Sequence, residues 1–384
     1  MDEGGDRGGL RFNLRELGGA LGDFLPLHPL FLSSVRVLGL NPASSMLVMG
    51  ASNILLGAYY RIPLPIEPMK ALTIYAIANR WDAGLIFATA FGTAILWLSL
   101  SISGLLDRML RFVPDDVVKG IQLALAVYFL SKSIELMGAS PGIALLSIAV
   151  IVMAMTPTRW RIPIPPTLLL FPIGIMMASF SLMEEGPIAM GFYIPRVHLF
   201  SIGDVWRGML EVGFAQAFLT LSNAILATRN AVNERFTRKI RDGQLALNMG
   251  LMNLGAAFLG CVPLCHGSGG FMTQYLYGAR TGGAMVMEGV IELVFALSLS
   301  TVVTHIFSRF PLAIIGAMLL PASIELGRGA LRLRGWRMLT AILVAAASYL
   351  TNFGVGFLIG LAVHLTALKL RLIEPESKGL KEEG

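Results

Sequence analysis

From about residue 17 to residue 370 the chain is a succession of apolar runs, fourteen of them, separated by short polar or basic breaks. A helix of roughly 20 apolar residues is long enough to cross a bilayer. Only backbones whose hydrogen bonds close internally survive there. Charged residues make up 14% of the chain, against about 25% in soluble domains. Hydrophobic residues reach 55% and the mean hydropathy is +0.70. The expectation is an all-α polytopic membrane protein. No cleavable leader is expected, because no small-residue cleavage site follows the first apolar run.

The net charge of +6 does not point to nucleic acid, since no basic run is interleaved with aromatic residues. Its placement points to topology. With the N-terminus in the cytoplasm, 21 of the 30 Lys and Arg residues fall on the cytoplasmic side and six outside. Arg61, Lys70 and Lys119 lie at or within spans. That bias follows the positive-inside rule and implies a multi-pass protein of the plasma membrane with both termini cytoplasmic. The two cysteines, Cys261 and Cys265, make no disulfide framework.

Two of the runs, 67–79 and 267–278, are short, and each follows a Pro-containing stretch, "RIPLPIEP" and "CVPLCHGSGG". Proline lacks the N–H and breaks a helix, so each short helix is expected to restart after a brief extended segment. An offset of 200 superimposes Asn53 on Asn253, Pro63 on Pro263, Leu64 on Leu264, Thr73 on Thr273, Tyr75 on Tyr275 and Arg80 on Arg280 without a gap. The reading is an internal repeat of seven spans. An odd number of spans inverts the second copy, and the two half-helices then meet at the midplane. The expected division is a cytoplasmic segment 1–16, a first repeat 17–182, an extracellular loop 183–204, a second repeat 205–371 and a cytoplasmic tail 372–384.

Inverted repeats with broken helices are a transporter design, with substrate held where half-helix N-termini point inward. Such a terminus offers unpaired N–H groups and about half a positive charge, which suits an anion. Glycine lets a ligand approach the backbone closely. The first turns at Met69 and Lys70 and at Ser268, Gly269 and Gly270 are therefore the candidate binding residues. A zinc site from Cys261, Cys265 and His266 lacks a fourth ligand. A Ser268–His266 nucleophile pair lacks the usual elbow, and a P-loop needs Gly-Lys-Ser/Thr where Phe271 and Met272 stand. Glycines that serve only close helix packing are the main rival. No metal or cofactor is expected.

Ionisable and polar residues inside spans are costly and mark function by default. The first run carries Asp23 and His28 and is expected to be broken by Pro26 and Pro29. The eighth offers Gln216, Thr220, Ser222 and Asn223, with Gln216 and Asn223 on one helix face. Glu67 and His266 are the candidate proton carriers. Glu288 and Glu292, one turn apart in a run expected over 283–303, pair with Lys or Arg or face a cavity, and both readings stay open.

"PLPIEPMKALTIYAIA" and "VPLCHGSGGFMTQYLYGARTGG", with "LGGALGDFLPLHPL" and "LTLSNAILATRNAV", resemble the signatures of the molybdate transporter family, a relative of the sulfate permeases. The likeness extends over about residues 12–370. It implies fourteen segments in two inverted sevens, with a core domain from spans 1–4 and 8–11 and a gate domain from spans 5–7 and 12–14. It implies uptake of a tetrahedral oxyanion, molybdate first and sulfate or tungstate behind it, with protons and by alternating access. It places Asp23 and Gln216 beside the half-helix starts. Any homodimer would associate through the gate domain. The sulfate permeases usually add a C-terminal regulatory domain, and only a short charged tail follows Arg371. The family pattern has Gln where Glu67 stands and Ala where Ser268 stands. Nucleobase–proton symporters share the architecture but would need a carboxylate in the tenth span, which has none. A passive anion channel and an intramembrane hydrolase are the other rivals.

Overall fold

The computed structural model describes residues 9–111, 114–155, 166–183 and 191–374, with only the backbone at 23–28, 107, 111, 155, 166–168 and 182–183. The side chains of Asp23 and His28 therefore lie outside the described residues, as do parts of the expected terminal segments and of the 183–204 loop. The first half comprises α1 (Leu14–Leu38), α2 (Pro42–Tyr60), β1 (Ile66–Pro68), α3 (Lys70–Ala78), α4 (Ala83–Ser103), α5 (Leu105–Arg111), α6 (Asp115–Met137), α7 (Pro141–Met155) and α8 (Pro166–Met183). The second half opens with one continuous helix over Ile202–Arg235. In it α9 (Ile202–Gly208), α10 (Phe214–Thr220) and α11 (Thr228–Arg235) are joined by π-helical turns at Met209–Gly213 and Leu221–Ala227. There follow α12 (Asp242–Leu259), β2 (Leu264–His266), α13 (Ser268–Leu276), α14 (Gly283–Ser298), α15 (Ser300–Arg309), α16 (Leu312–Arg328), α17 (Gly335–Leu350) and α18 (Phe353–Lys369).

Every apolar run carries helix, and local chemistry sets many of the ends. Asn13 accepts from the amides of Arg15 and Glu16, Asn41 from Ala43 and Asp82 from Leu85, the N-cap role of short polar side chains. Gly39 and Gly104 end α1 and α4 in the left-handed region. By length and apolarity, four described helices can each cross a membrane: 83–103, 115–137, 202–235 and 312–332. α14 and α15, bent by 95° at their junction, are long and apolar enough only as a pair, as a broken span or a re-entrant loop.

Two sequence expectations are corrected, and one open alternative is narrowed. α1 continues helically through Pro26 and Pro29. The run expected over 283–303 breaks at Leu299, and α15 leaves at a steep angle. Glu292 meets no Lys or Arg among the described residues; its Oε2 accepts from Asn53 Nδ2 at 2.9 Å, and Glu288 accepts from Gln274 Nε2 at 3.1 Å.

Helices from the two halves pack in reciprocal pairs: α2 on α14 and α4 on α12, α6 on both α16 and α17. The α2–α14 crossing is set by glycine. A Cβ on Gly289 would stand 2.5 Å from the Gly50 carbonyl oxygen, and one on Gly50 would stand 2.8 Å from that of Gly289. Small residues at such crossings let backbones approach. Gly289→Ala should force the helices apart and destabilise the protein by about 1–3 kcal/mol. The check is the thermal unfolding midpoint in detergent, and an unchanged midpoint would refute the close-packing role.

Candidate functional site

The two Pro-containing stretches pair with each other. β1 and β2 form an antiparallel ladder with Ile66 opposite His266, Glu67 opposite Cys265 and Pro68 opposite Leu264. The Met69 amide extends it by donating to the Pro263 carbonyl at 2.7 Å. Backbone buried this deeply must have its polar groups satisfied. Asn253 does this for β2: its Oδ1 accepts from Leu264 N and its Nδ2 donates to Leu264 O, both at 2.8 Å. Its repeat mate Asn53 has turned to Glu292 instead, and Leu64 N donates to Met285 Sδ at 3.0 Å. Each strand hands the chain to a half-helix, α3 or α13, at the middle of the molecule.

The start of α13 already holds a carboxylate. Gly270 N donates to Glu67 Oε1 at 3.0 Å, and Lys70 Nζ lies 2.9 Å from Glu67 Oε2. Glu67 thus caps the half-helix of the opposite repeat rather than its own. Gly267 makes the room, since a Cβ there would sit 2.2–2.4 Å from the Glu67 carboxyl group. The first turn of α13 closes through Phe271 N to Gly267 O. The amides of Ser268 and Gly269 have no partner among the described residues.

The start of α3 is satisfied differently. Gln216 Oε1 accepts from Ala71 N at 2.9 Å and Leu72 N at 3.2 Å, and its Nε2 donates to Thr220 Oγ1 at 2.8 Å. Gln216 lies in α10, between the two π-helical turns, a distortion that recurs at functional sites because it re-aims side chains.

A cavity of about 400 Å³ lies against both half-helix starts. Glu67, Lys70, Gln216, Asn223, His266, Ser268 and Gly269 line it, so seven of the ten sequence candidates come together. Two do not. Met69 is fully buried with its amide in the ladder, and the Gly270 amide is taken by Glu67. Asp23 is outside the described side chains. His266 is 1% exposed; its Nδ1 lies 3.2 Å from the Pro65 carbonyl oxygen and its Nε2 has no partner among the described residues. Sequence reasoning missed the opposite wall: Gln122 on α6, and Glu325, Arg328, Gly329 and Arg332 at the end of α16 and beyond. Among the described residues no three His, Cys, Asp or Glu side chains are placed to hold a metal.

The profile of the family described as molybdate transporters of the MFS superfamily matches residues 15–129 and 208–326. Those segments cover more than half of the chain and both half-helix motifs. The chain belongs to this molybdate transporter family. It is 27% identical over 439 residues to molybdate transporter 2 of Arabidopsis thaliana, covering 97% of this chain and 93% of that protein. Its fold is like that of the transmembrane domain of the cyanobacterial bicarbonate transporter BicA, with a TM-score of 0.68 at 15% identity over 90% of this chain and 96% of that one. It is also like the murine solute carrier 26 member A9 anion transporter in the inward-facing state, with a TM-score of 0.69 at 14% identity over 94% and 69% of the two chains. These members of the family and of the wider fold are transporters rather than enzymes, and this chain is a multi-pass helical membrane protein built for anion transport.

Proposed function

We propose that this member of the molybdate transporter family takes up a tetrahedral oxyanion, molybdate first and sulfate or tungstate behind it, coupled to protons and by alternating access. The observation that carries the reading is the carboxylate of Glu67 at the start of α13. An oxyanion group of the protein itself occupies one amide of the terminus whose two preceding residues, Ser268 and Gly269, line the cavity. Substrate would bind Ser268 N, Gly269 N and the Ser268 hydroxyl, with Lys70, Gln216 and Asn223 around it. The relative from Arabidopsis is named for molybdate, which sets the order of substrates.

The architecture behind this reading is the fourteen-segment inverted repeat, with a core of α1–α4 and α9–α14 and a gate formed by α6–α8 and α16–α18. The reciprocal helix pairing and the β1–β2 ladder support it. The cavity lies between core and gate and reaches the exposed Arg328 and Arg332, which the charge bias places on the cytoplasmic side. The other side is sealed. Tyr75 of α3 stands about 7 Å along its helix from Lys70. It packs edge-on to Tyr128 of α6 at 6.1 Å and Phe353 of α18 at 5.6 Å between ring centres. Beyond it, Glu135 of α6 pairs with Lys132 at 2.8 Å and with Arg80 at 3.6 Å. This is an inward-open arrangement in a plasma membrane with cytoplasmic termini, and the opposite state requires those aromatic contacts to part.

The test is uptake of labelled molybdate into proteoliposomes, with and without an imposed proton gradient, against unlabelled sulfate, tungstate and uracil. Gradient-driven uptake blocked best by molybdate or tungstate is the expected result. Gradient-independent flux would make the protein a passive channel, and competition by uracil alone would overturn the oxyanion site.

A further inference from the structure

His266, a residue of the cavity wall, carries a buried polar atom that an oxyanion by itself does not satisfy. His266 is 1% exposed and lines the cavity. Its Nδ1 faces the Pro65 carbonyl oxygen at 3.2 Å. A carbonyl only accepts, so the ring hydrogen of the neutral imidazole is on Nδ1 and Nε2 presents a lone pair. Nε2 is buried and has no partner among the described residues. Buried polar atoms are nearly always paired, and those that are not call for a ligand or a catalytic or binding role.

A fully ionised oxyanion offers only lone pairs. Set against Nε2 it would meet acceptor with acceptor, next to the amides of Ser268 and Gly269 that attract it. One hydrogen at the contact removes the conflict, whether it is counted on the oxyanion or on the imidazole. We propose that His266 Nε2 is a ligand-facing acceptor, and that the pocket binds its tetrahedral anion together with one proton drawn from solution, as a singly protonated oxyanion or as an oxyanion on imidazolium. This inference rests on the anion site of the preceding section and assigns the proton to one atom of it.

The charged and titratable groups around His266 fit that assignment. Glu67, across the ladder, already has Gly270 N and Lys70 as partners. Cys265 is the neighbouring thiol, and Glu325, Arg328 and Arg332 lie on the far wall. The helix turn Leu221–Ala227, which packs on β2, carries no titratable side chain. Proton uptake is thus expected to follow His266 rather than Glu67.

The experiment is calorimetric titration of the full-length detergent-solubilised protein with sodium molybdate, at one pH in two buffers of different ionisation enthalpy, repeated across pH. Wild type and Glu67→Gln should each take up about one proton per anion, with Kd rising about tenfold per pH unit where uptake is complete. His266→Gln should bind with uptake near zero and a flat pH profile. Should that variant fail to fold, nitrogen NMR of histidine-labelled wild type gives the same answer, because one Nε2 should gain a hydrogen when molybdate is added. Molybdate binding without proton uptake, or uptake unchanged in His266→Gln, would overturn this inference and leave the anion site standing. No heat of binding in the folded wild-type protein would overturn both.

Discussion

Glu67→Gln should bind molybdate about 10- to 100-fold more tightly than the wild-type protein at the same pH. Glu67 caps the third amide of the α13 turn whose first two residues, Ser268 and Gly269, line the cavity. An oxyanion bound at those first two amides would lie within a few ångströms of the Glu67 carboxylate. Two like charges about 4 Å apart repel by roughly 4 kcal/mol at an effective dielectric near 20. Lys70, at 2.9 Å from Glu67, cancels part of that, leaving about 1.4–2.8 kcal/mol, which is the stated factor. Glutamine keeps the acceptor for Gly270 N and removes only the charge, and it releases Lys70 toward the anion. Tighter binding also slows release, so turnover should fall while affinity rises. Calorimetric titration and proteoliposome uptake, measured side by side, check both halves. An affinity that is unchanged or weaker would mean that no oxyanion binds beside Glu67. The same substitution restores the residue that the family resemblance leads one to expect at this position.

The second large effect is on Gln216. Its one side-chain oxygen accepts from two buried amides, Ala71 N and Leu72 N. Gln216→Leu leaves both without a partner, at about 1–3 kcal/mol each. The start of α3 should loosen, the unfolding midpoint should drop sharply, and oxyanion binding should be lost with it. Gln216→Glu separates stability from binding. It retains acceptors and adds negative charge at a helix N-terminus, which is favourable there, so the fold should hold. The same charge faces the cavity and should weaken oxyanion binding by tenfold or more. A Leu variant as stable as wild type would show that these amides find other partners, and a Glu variant that binds normally would place the anion elsewhere.

Much of the site was legible from residue chemistry. Proline at the two breaks and glycines at 267, 269 and 270 announced half-helix starts, because only certain backbones interrupt and restart a helix in an apolar setting. Repeat matches such as Asn53 with Asn253 and Pro63 with Pro263 announced that the two would be related. What local chemistry could not convey was which donor meets which acceptor. Nothing near Glu67 in the chain says that it caps α13 rather than α3. The choice follows from the antiparallel register that sets Glu67 opposite Cys265 and from the space over Gly267. Gln216 was visible as a polar residue in an apolar run, but its role as the cap of α3 depends on a helix about 145 residues away in sequence. The Arg328 and Arg332 wall was counted only as cytoplasmic charge, since its facing the half-helices is a matter of how α16 packs.

By itself, then, the sequence determined the solvent of this protein, the positions of most of its helices, the two breaks before the half-helices and the chemical character of the pocket. These follow from hydropathy, proline and glycine geometry, and charge placement, all of which act within a few residues. Only the tertiary structure decided that the two breaks pair as strands and that each half-helix is capped from the other half of the chain. It also decided that one nitrogen of His266, a residue of the cavity wall, stays unpaired among the described residues. Those outcomes depend on contacts between segments some 150 to 200 residues apart, whose pairing is settled by packing and by the need to satisfy every buried polar group rather than by any local preference.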